Sequence, residues 1–314
     1  MTNLEGFLLI NKTQGITSYD VIRYFKKQGI TKIGHTGTLD PNTEGLLVLA
    51  IGRATKFIPL ITENSQKEYL TTMKFGIQTT TGDITGEVVK TVNTVKVTNQ
   101  EIEQVIKSFI KIYKQVPPLY SAKKINGKKA YEYGRNNQAI SMEIRAKEVQ
   151  IYDIEILKID LINLEVTFKT VVSKGTYIRS LIEDIATKLK TVATMTSLIR
   201  TKTDGFLLEN ALEKEAEITS NYLPLSRFLK TKYPNQISVS GKLAQLIKNG
   251  VQVNNENIIE KFDKIVKNKK ILILDENSNE IIALYKKVDN YYQVEFMVWR
   301  EGEKKWFIVY WNFI

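Results

Sequence analysis

The sequence contains no cysteine and a single histidine, His35, in 314 residues. The first absence removes disulfides, thiolate nucleophiles and cysteine-ligated zinc or iron–sulfur sites. The second removes metal centres built from several histidines, and leaves His35 as the one residue around which a Ser-His-Asp triad could form. Neither G-x-x-x-x-G-K-[ST] nor G-x-G-x-x-G occurs, so the usual cradles for nucleotide phosphates are missing. No apolar run approaches the roughly eighteen residues of a membrane-spanning helix. The start, Met1-Thr2-Asn3-Leu4-Glu5-Gly6, has neither the basic opening nor the apolar middle of a secretory signal. The last two absences lead us to expect a cytoplasmic chain. Together the absences leave any catalysis to carboxylate, tyrosine, lysine, arginine and backbone, with no metal and no cofactor expected.

What is present is positive charge. Lysine and arginine number 45 against 34 aspartate and glutamate, giving a net charge of +11 and a pI near 9.4. A polyanionic partner is the natural match, either nucleic acid or an anionic surface. Apolar residues make up 43% of the chain, ordinary for a globular protein. The length suits one large and one small domain.

The densest signal is Gly34-His35-Thr36-Gly37-Thr38-Leu39-Asp40-Pro41-Asn42-Thr43-Glu44-Gly45-Leu46-Leu47. Its glycines and proline impose a tight, irregular backbone, and the residue before a proline is driven out of the α region. Asp40 therefore sits extended or in a turn, just ahead of a run that reads as a buried strand, Leu46 to Ile51. Local chemistry reads Asp40 first as an Asx-type turn and second as a nucleophile or acid/base.

Other stretches carry readable patterns. Gly6 to Asn11 is a short strand, and Thr17-Ser18 cap a helix that turns Val21, Ile22 and Phe25 inward. Tyr69, Thr71, Met73 and Phe75 share one face of a strand, on which Tyr69 could be plain core. Thr79 to Gly86 is a turn. Thr98 and Glu101 form a capping box for a helix whose apolar positions run Ile102, Val105, Ile106, Phe109, Ile110, Tyr113.

From Lys111 to Arg135 seven basic residues face one acid, with tyrosines at 113, 120, 131 and 133 between them. Cations beside rings suit RNA backbone and unstacked bases. Strands follow near 149–157 and 164–172, then a junction, Ser173-Lys174-Gly175-Thr176-Tyr177-Ile178-Arg179-Ser180-Leu181, that opens a helix. Arg179 stands four residues before Glu183, the spacing of a surface ion pair. Past about 230 a lysine-rich unit holds a helix from Ser240 and strands near 271–274, 281–285 and 291–298. The apolar tail, residues 306–311, asks for burial as a further strand.

These motifs, in this order over residues 4–206, resemble the bacterial tRNA pseudouridine-55 synthases, the TruB-type branch of the pseudouridine synthases. The resemblance implies an α+β fold: a mixed, largely antiparallel central sheet flanked by helices over residues 1–230, with a basic tRNA-binding insertion at about 111–147. Residues 231–314 resemble a small β-rich PUA-type RNA-binding module. It implies Asp40 as the catalytic aspartate, Tyr69 as the active-site tyrosine against the target base, and Arg179 as the partner of Asp40. Tyr177 and Leu198 would line the base pocket, and His35 would fill the space that an extruded base leaves. Tyr120, Lys123, Lys124, Lys128, Lys129 and Tyr131 would grip tRNA. The implied partner is the T-arm stem-loop of tRNA, bound by a monomer, with no membrane.

Three positions depart from the family pattern: Thr43 for alanine, Lys12-Thr13 for Lys-Pro, which should loosen that turn, and Ile199-Arg200 for paired arginines. Two other readings compete. A retaining glycosidase would pair Asp40 with Glu44 or Asp83, and a non-catalytic tRNA-binding or tRNA-folding protein would need none of Asp40, Tyr69 and Arg179.

Overall fold

Alternating burial along the strands builds the main sheet. The computed structural model describes residues 4–118, 145–213, 222–265 and 270–299, with two short strands, Lys124–Ile125 and Lys128–Lys129, between the first two segments. The chain divides into two compact units, Met1–Tyr222 and Leu223–Ile314.

In the first unit the strand order is Leu212–Glu213, Gly6–Lys12, Glu44–Ile51, Ala193–Thr203, Gln66–Phe75, Glu165–Ser173, Lys147–Asp160 and Ile112–Gln115. Leu212–Glu213 runs parallel to Gly6–Lys12, and Glu44–Ile51 parallel to Ala193–Thr203. The remaining neighbours are antiparallel, so the sheet is mixed and largely antiparallel, as the motifs imply. Gln66–Phe75 buries Tyr69, Thr71, Met73 and Phe75, and Glu165–Ser173 buries Val166, Phe168, Thr170 and Val172. Glu44–Ile51 is buried at every position after the first, the mark of a strand covered on both faces. Leu47, Leu49 and Ile51 pack with Val21, Ile22 and Phe25 of the helix Ser18–Lys27. A second core joins the sheet to the helices Asn99–Lys107 and Ile178–Lys188 through Met73, Phe168, Ile102, Ile106, Leu181 and Ile185.

Two of the expected helix starts carry complete capping boxes, Thr17 with Asp20 and Thr98 with Glu101, whereas Ser240, expected to cap its helix, stands at the N-cap without a side-chain hydrogen bond. One helix is shorter than its periodicity suggests. It stops at Lys107, where the Ser108 hydroxyl bonds the Val105 carbonyl, and Ile112–Gln115 becomes an edge strand paired with residues 147–150. Phe109 and Tyr113 still pack edge to face at 5.5 Å. That i,i+4 contact mimics helical spacing across what is in fact a turn.

The second unit holds a four-stranded sheet, Gln236–Val239, Lys270–Asp275, Ile281–Val288 and Tyr291–Met297, parallel at its first pair and antiparallel beyond. The helices Gly241–Lys248 and Glu256–Ile265 supply Ala244, Ile247 and Phe262 to its core. The first strand and the second helix were not anticipated, and residues 306–311 lie outside the described residues. No helix among the described residues is long and apolar enough to cross a membrane.

Candidate active site

The loop bearing Asp40 is held from beneath by two buried cations. Lys12, fully buried, donates from Nζ to the carbonyls of Thr13, Ile16 and Pro41 at 3.0, 2.8 and 3.2 Å. Arg200, also fully buried, donates from Nε to the Leu46 carbonyl at 2.8 Å, from Nη1 to Thr38 at 3.3 Å and from Nη2 to Gly37 at 3.0 Å. The Ser18 hydroxyl clips the loop once more, accepting from the Leu39 amide and donating to its carbonyl. Where such a loop leaves a buried carbonyl short of backbone donors, it needs these side chains, because a buried carbonyl without a partner is costly. Gly45 is obligatory for the close approach: at φ +97 a Cβ would lie 2.5 Å from the Arg200 carbonyl oxygen. The turn at Lys12-Thr13 is tied to the loop by Lys12 and by the Gly15 amide, both donating to the Pro41 carbonyl.

Arg179 emerges from the first turn of its helix into a pocket of about 380 Å³ lined by Asp40, Tyr69, Tyr177 and Leu198 among others. Its Nη2 donates to Asp40 Oδ2 at 2.7 Å and its Nη1 to the Thr81 carbonyl at 2.7 Å. The arginine side chain is 6% exposed and the aspartate 43%, so the guanidinium is fixed from behind while the carboxylate faces the pocket. Arg179 is therefore buried and committed to Asp40, so an exposed i,i+4 pair with Glu183 does not describe it. Nor is Asp40 an Asx turn alone, since an arginine from 139 residues away orients its carboxylate. The Thr81 carbonyl is presented by a turn in which the Asp83 carboxylate accepts from Thr81 and Thr85. Neither Asp83 nor Glu44 lines the pocket, and Asp40 is the one carboxylate that does among the described residues. Among the described residues the pocket therefore offers no second carboxylate of the kind a retaining glycosidase uses.

Tyr177 caps the Arg179 helix and is held by Gln115, whose Oε1 accepts from the Tyr177 amide at 2.8 Å while its Nε2 donates to the Tyr177 carbonyl at 3.1 Å. Leu198 lies on Ala193–Thr203, 8% exposed, on the pocket wall. His35 ends the short strand Ile33–His35 and is not part of the pocket lining. Tyr120, Lys123 and Tyr131 lie outside the described residues. Lys124, Lys128 and Lys129 fall on the two short paired strands.

Sequence reading did not single out Lys12, Arg200 or Gln115 as parts of the site. Strand parity could have found Arg200, which shares a face with Leu198 two residues earlier. Gln115 carries no signal beyond its place next to a lysine-rich segment.

Burial sets the proton affinities here. It pushes Lys12 down to about 8, against the pull of Asp40 and Glu44. Burial raises the Tyr69 phenol, opposed by the neighbouring Arg200 guanidinium. It lowers His35, with Arg200 and Lys67 adding to the effect. At neutral pH Tyr69 is thus a phenol and His35 a neutral imidazole.

Residues 24–178 match the model of the TruB family pseudouridylate synthase, N-terminal domain. A Clostridium tetani protein named tRNA pseudouridine synthase B is 40% identical over 264 residues, 82% of this chain and 89% of that protein. A protein of the same name from Caldicellulosiruptor saccharolyticus is 38% identical over 297 residues, 92% of this chain and 100% of that protein. Among solved structures, a Cbf5-Nop10-Gar1 complex aligns with TM-score 0.63 at 25% identity, covering 91% of this chain and 79% of that one. The chain belongs to the TruB family of pseudouridylate synthases, and is an isomerase.

Proposed function

We propose that this enzyme converts uridine to pseudouridine at position 55, in the T-loop of tRNA, with Asp40 as its catalytic carboxylate. The observation that carries the reading is the 2.7 Å ion pair between Asp40 and Arg179 inside a pocket walled by Tyr69, Tyr177 and Leu198. The tRNA substrate is supported by the names of the relatives and by the net charge of +11. The T-loop position rests on the resemblance of the motifs.

The reaction breaks the N1–C1′ bond, turns the uracil, joins C5 to C1′ and releases the C5 proton while N1 gains one. No atom is added or lost overall. Positive charge develops at C1′ as the glycosidic bond breaks, and a carboxylate held in place meets it without reorganising. Arg179 orients that carboxylate. A uridine inside a folded loop must leave its stack to reach the pocket, where aromatic side chains replace its neighbours. Tyr69 and Tyr177 supply those surfaces. As a buried phenol Tyr69 suits stacking better than proton abstraction. His35 would occupy the gap left in the RNA, and the segment 111–147, with Tyr120, Lys123, Lys124, Lys128, Lys129 and Tyr131, would grip the T-arm. The second unit would act as a PUA-like RNA-binding domain. The enzyme would work in the cytoplasm as a monomer.

Tritium release from C5-labelled uridine in a T-arm transcript tests this directly. Wild-type protein should release it, and Asp40→Asn should not, while binding the transcript with little change. Silence from wild type under single-turnover excess of enzyme would overturn the assignment, and release by Asp40→Asn would remove Asp40 from the chemistry.

A further inference from the structure

Lys67 lines the Asp40 pocket, two residues before Tyr69 on the strand Gln66–Phe75. Strand parity puts both side chains on one face. The ammonium lies against Gly37 at the base of the Asp40 loop: a Cβ there would stand 2.9 Å from Lys67 Nζ. Glycine therefore makes room for this cation. Arg179 and Arg200 already hold Asp40 and loop carbonyls. Lys67, among the described residues, has neither a hydrogen-bond acceptor nor an ion pair.

The surroundings are polar and unsatisfied in the same way. Both carboxylate oxygens of Asp204, the hydroxyls of Thr203 and Ser65, and His35 Nδ1 are buried with no hydrogen-bond partner among the described residues. Thr203 is the strand partner of Lys67. Burial, with Arg200 and Lys174, disfavours the charged amine, and Asp204 favours it. A cation kept at such a position without an acceptor suits one that arrives with a ligand.

We propose that Lys67 is a substrate-binding residue that takes a backbone phosphate oxygen of the RNA at the extruded uridine. This deepens the function proposed above and rests on the Asp40 pocket being the uridine site. Phosphate fits better than a base carbonyl on two grounds. Uracil is neutral, whereas the phosphodiester carries the charge that a lone ammonium attracts. Two residues along a strand span about 6.6 Å, similar to the distance from a base to its own phosphate. A base lying on Tyr69 thus brings its backbone to Lys67.

The test uses the full chain and a T-arm stem-loop transcript. Lys67→Met should raise KM roughly tenfold, with the smaller effect on kcat, and lower the slope of log affinity against log salt by about 0.7. Lys67→Arg should restore much of the KM and guard against misfolding as the cause. A methylphosphonate at one phosphate flanking the target uridine should weaken wild type to a similar degree and add nothing to Lys67→Met. Unchanged KM and salt slope in Lys67→Met would overturn the proposal. So would full additivity with every methylphosphonate, or the same loss in Asp204→Asn, which would make Lys67 part of an internal ion network. The same comparison read as transcript affinity in an Asp40→Asn background needs no turnover. Failure of wild type to make pseudouridine would therefore strike the function without hiding the result for Lys67.

Discussion

The Asp40 loop and the sheet of the second unit meet the same demand, burial, with opposite materials. Under the loop lie Lys12 and Arg200, both fully buried, spending their donors on six backbone carbonyls. Inside the second unit lie Ile271, Ile273, Ile282, Ala283 and Tyr285, each fully buried in an apolar cluster. Charged residues there meet one another outside that cluster, as in Lys248 with Asp275 at 2.7 Å and Lys287 with Asp263 at 2.6 Å. Apolar packing tolerates exchange of one side chain for another of similar volume. A scaffold of buried cations and carbonyls does not, because removing one donor strands its acceptors. The contrast explains why a loop presenting one carboxylate at fixed geometry is built from polar groups: only directional bonds fix its orientation.

The largest expected effect is at the pocket itself. Arg179→Met should lower single-turnover pseudouridine formation by on the order of 10³-fold, the range for loss of one preorganised electrostatic partner. Its affinity for a T-arm transcript should stay near wild type. A fall of less than tenfold would mean that Asp40 does not depend on the 2.7 Å pair for its geometry.

The next effect sharpens the comparison between scaffolds. Arg200→Met leaves the carbonyls of Gly37, Thr38 and Leu46 without their donor, and should cost about 3 kcal/mol in denaturant unfolding while also depressing turnover. Ile273→Ala in the second unit should cost a similar 2–4 kcal/mol by leaving a cavity, yet leave turnover of a stem-loop transcript nearly intact below the melting transition. If both variants lose turnover equally, the difference between a polar scaffold and an apolar one has no functional meaning here.

What the sequence disclosed follows the same division. Strands whose apolar residues alternate, such as 66–75 and 165–173, were legible because burial on one face repeats every second residue. The helix starts at Thr17 and Thr98 were legible because capping is local. Asp40, Tyr69, Tyr177, Arg179 and Leu198 stood out through motif resemblance, and the pocket brings all of them together. The end of the helix at Lys107 was hidden, since pairing with residues 147–150 is a long-range choice that periodicity cannot see. Lys12 and Arg200 were hidden for a related reason. A lysine or an arginine reads as surface until the fold shows which carbonyls close around it.

The smallest effect concerns pH, and separates the two scaffolds without disturbing either. Burial brings Lys12, against the pull of Asp40, and Lys67, with help from Arg200, down to about 8 from the ordinary lysine value of 10.5. Below about 8 both groups are protonated in folded and unfolded chains, so their contribution to stability is constant. Between about 8 and 10.5 the unfolded chain binds more protons than the folded one, and stability from these lysines rises with pH. Tyr69 and Tyr113, raised by burial, act in the opposite sense above 10, which closes the window. Among the described residues, no buried lysine of this kind belongs to the apolar core of the second unit. The melting temperature of wild type should therefore pull ahead of Lys67→Met between pH 8 and 10, by a margin that grows with pH, while Ile273→Ala keeps a constant offset. A constant offset for Lys67→Met as well would mean that its amine is as easily protonated in the folded protein as in water, and that the polar floor of the pocket is wetter than its burial implies.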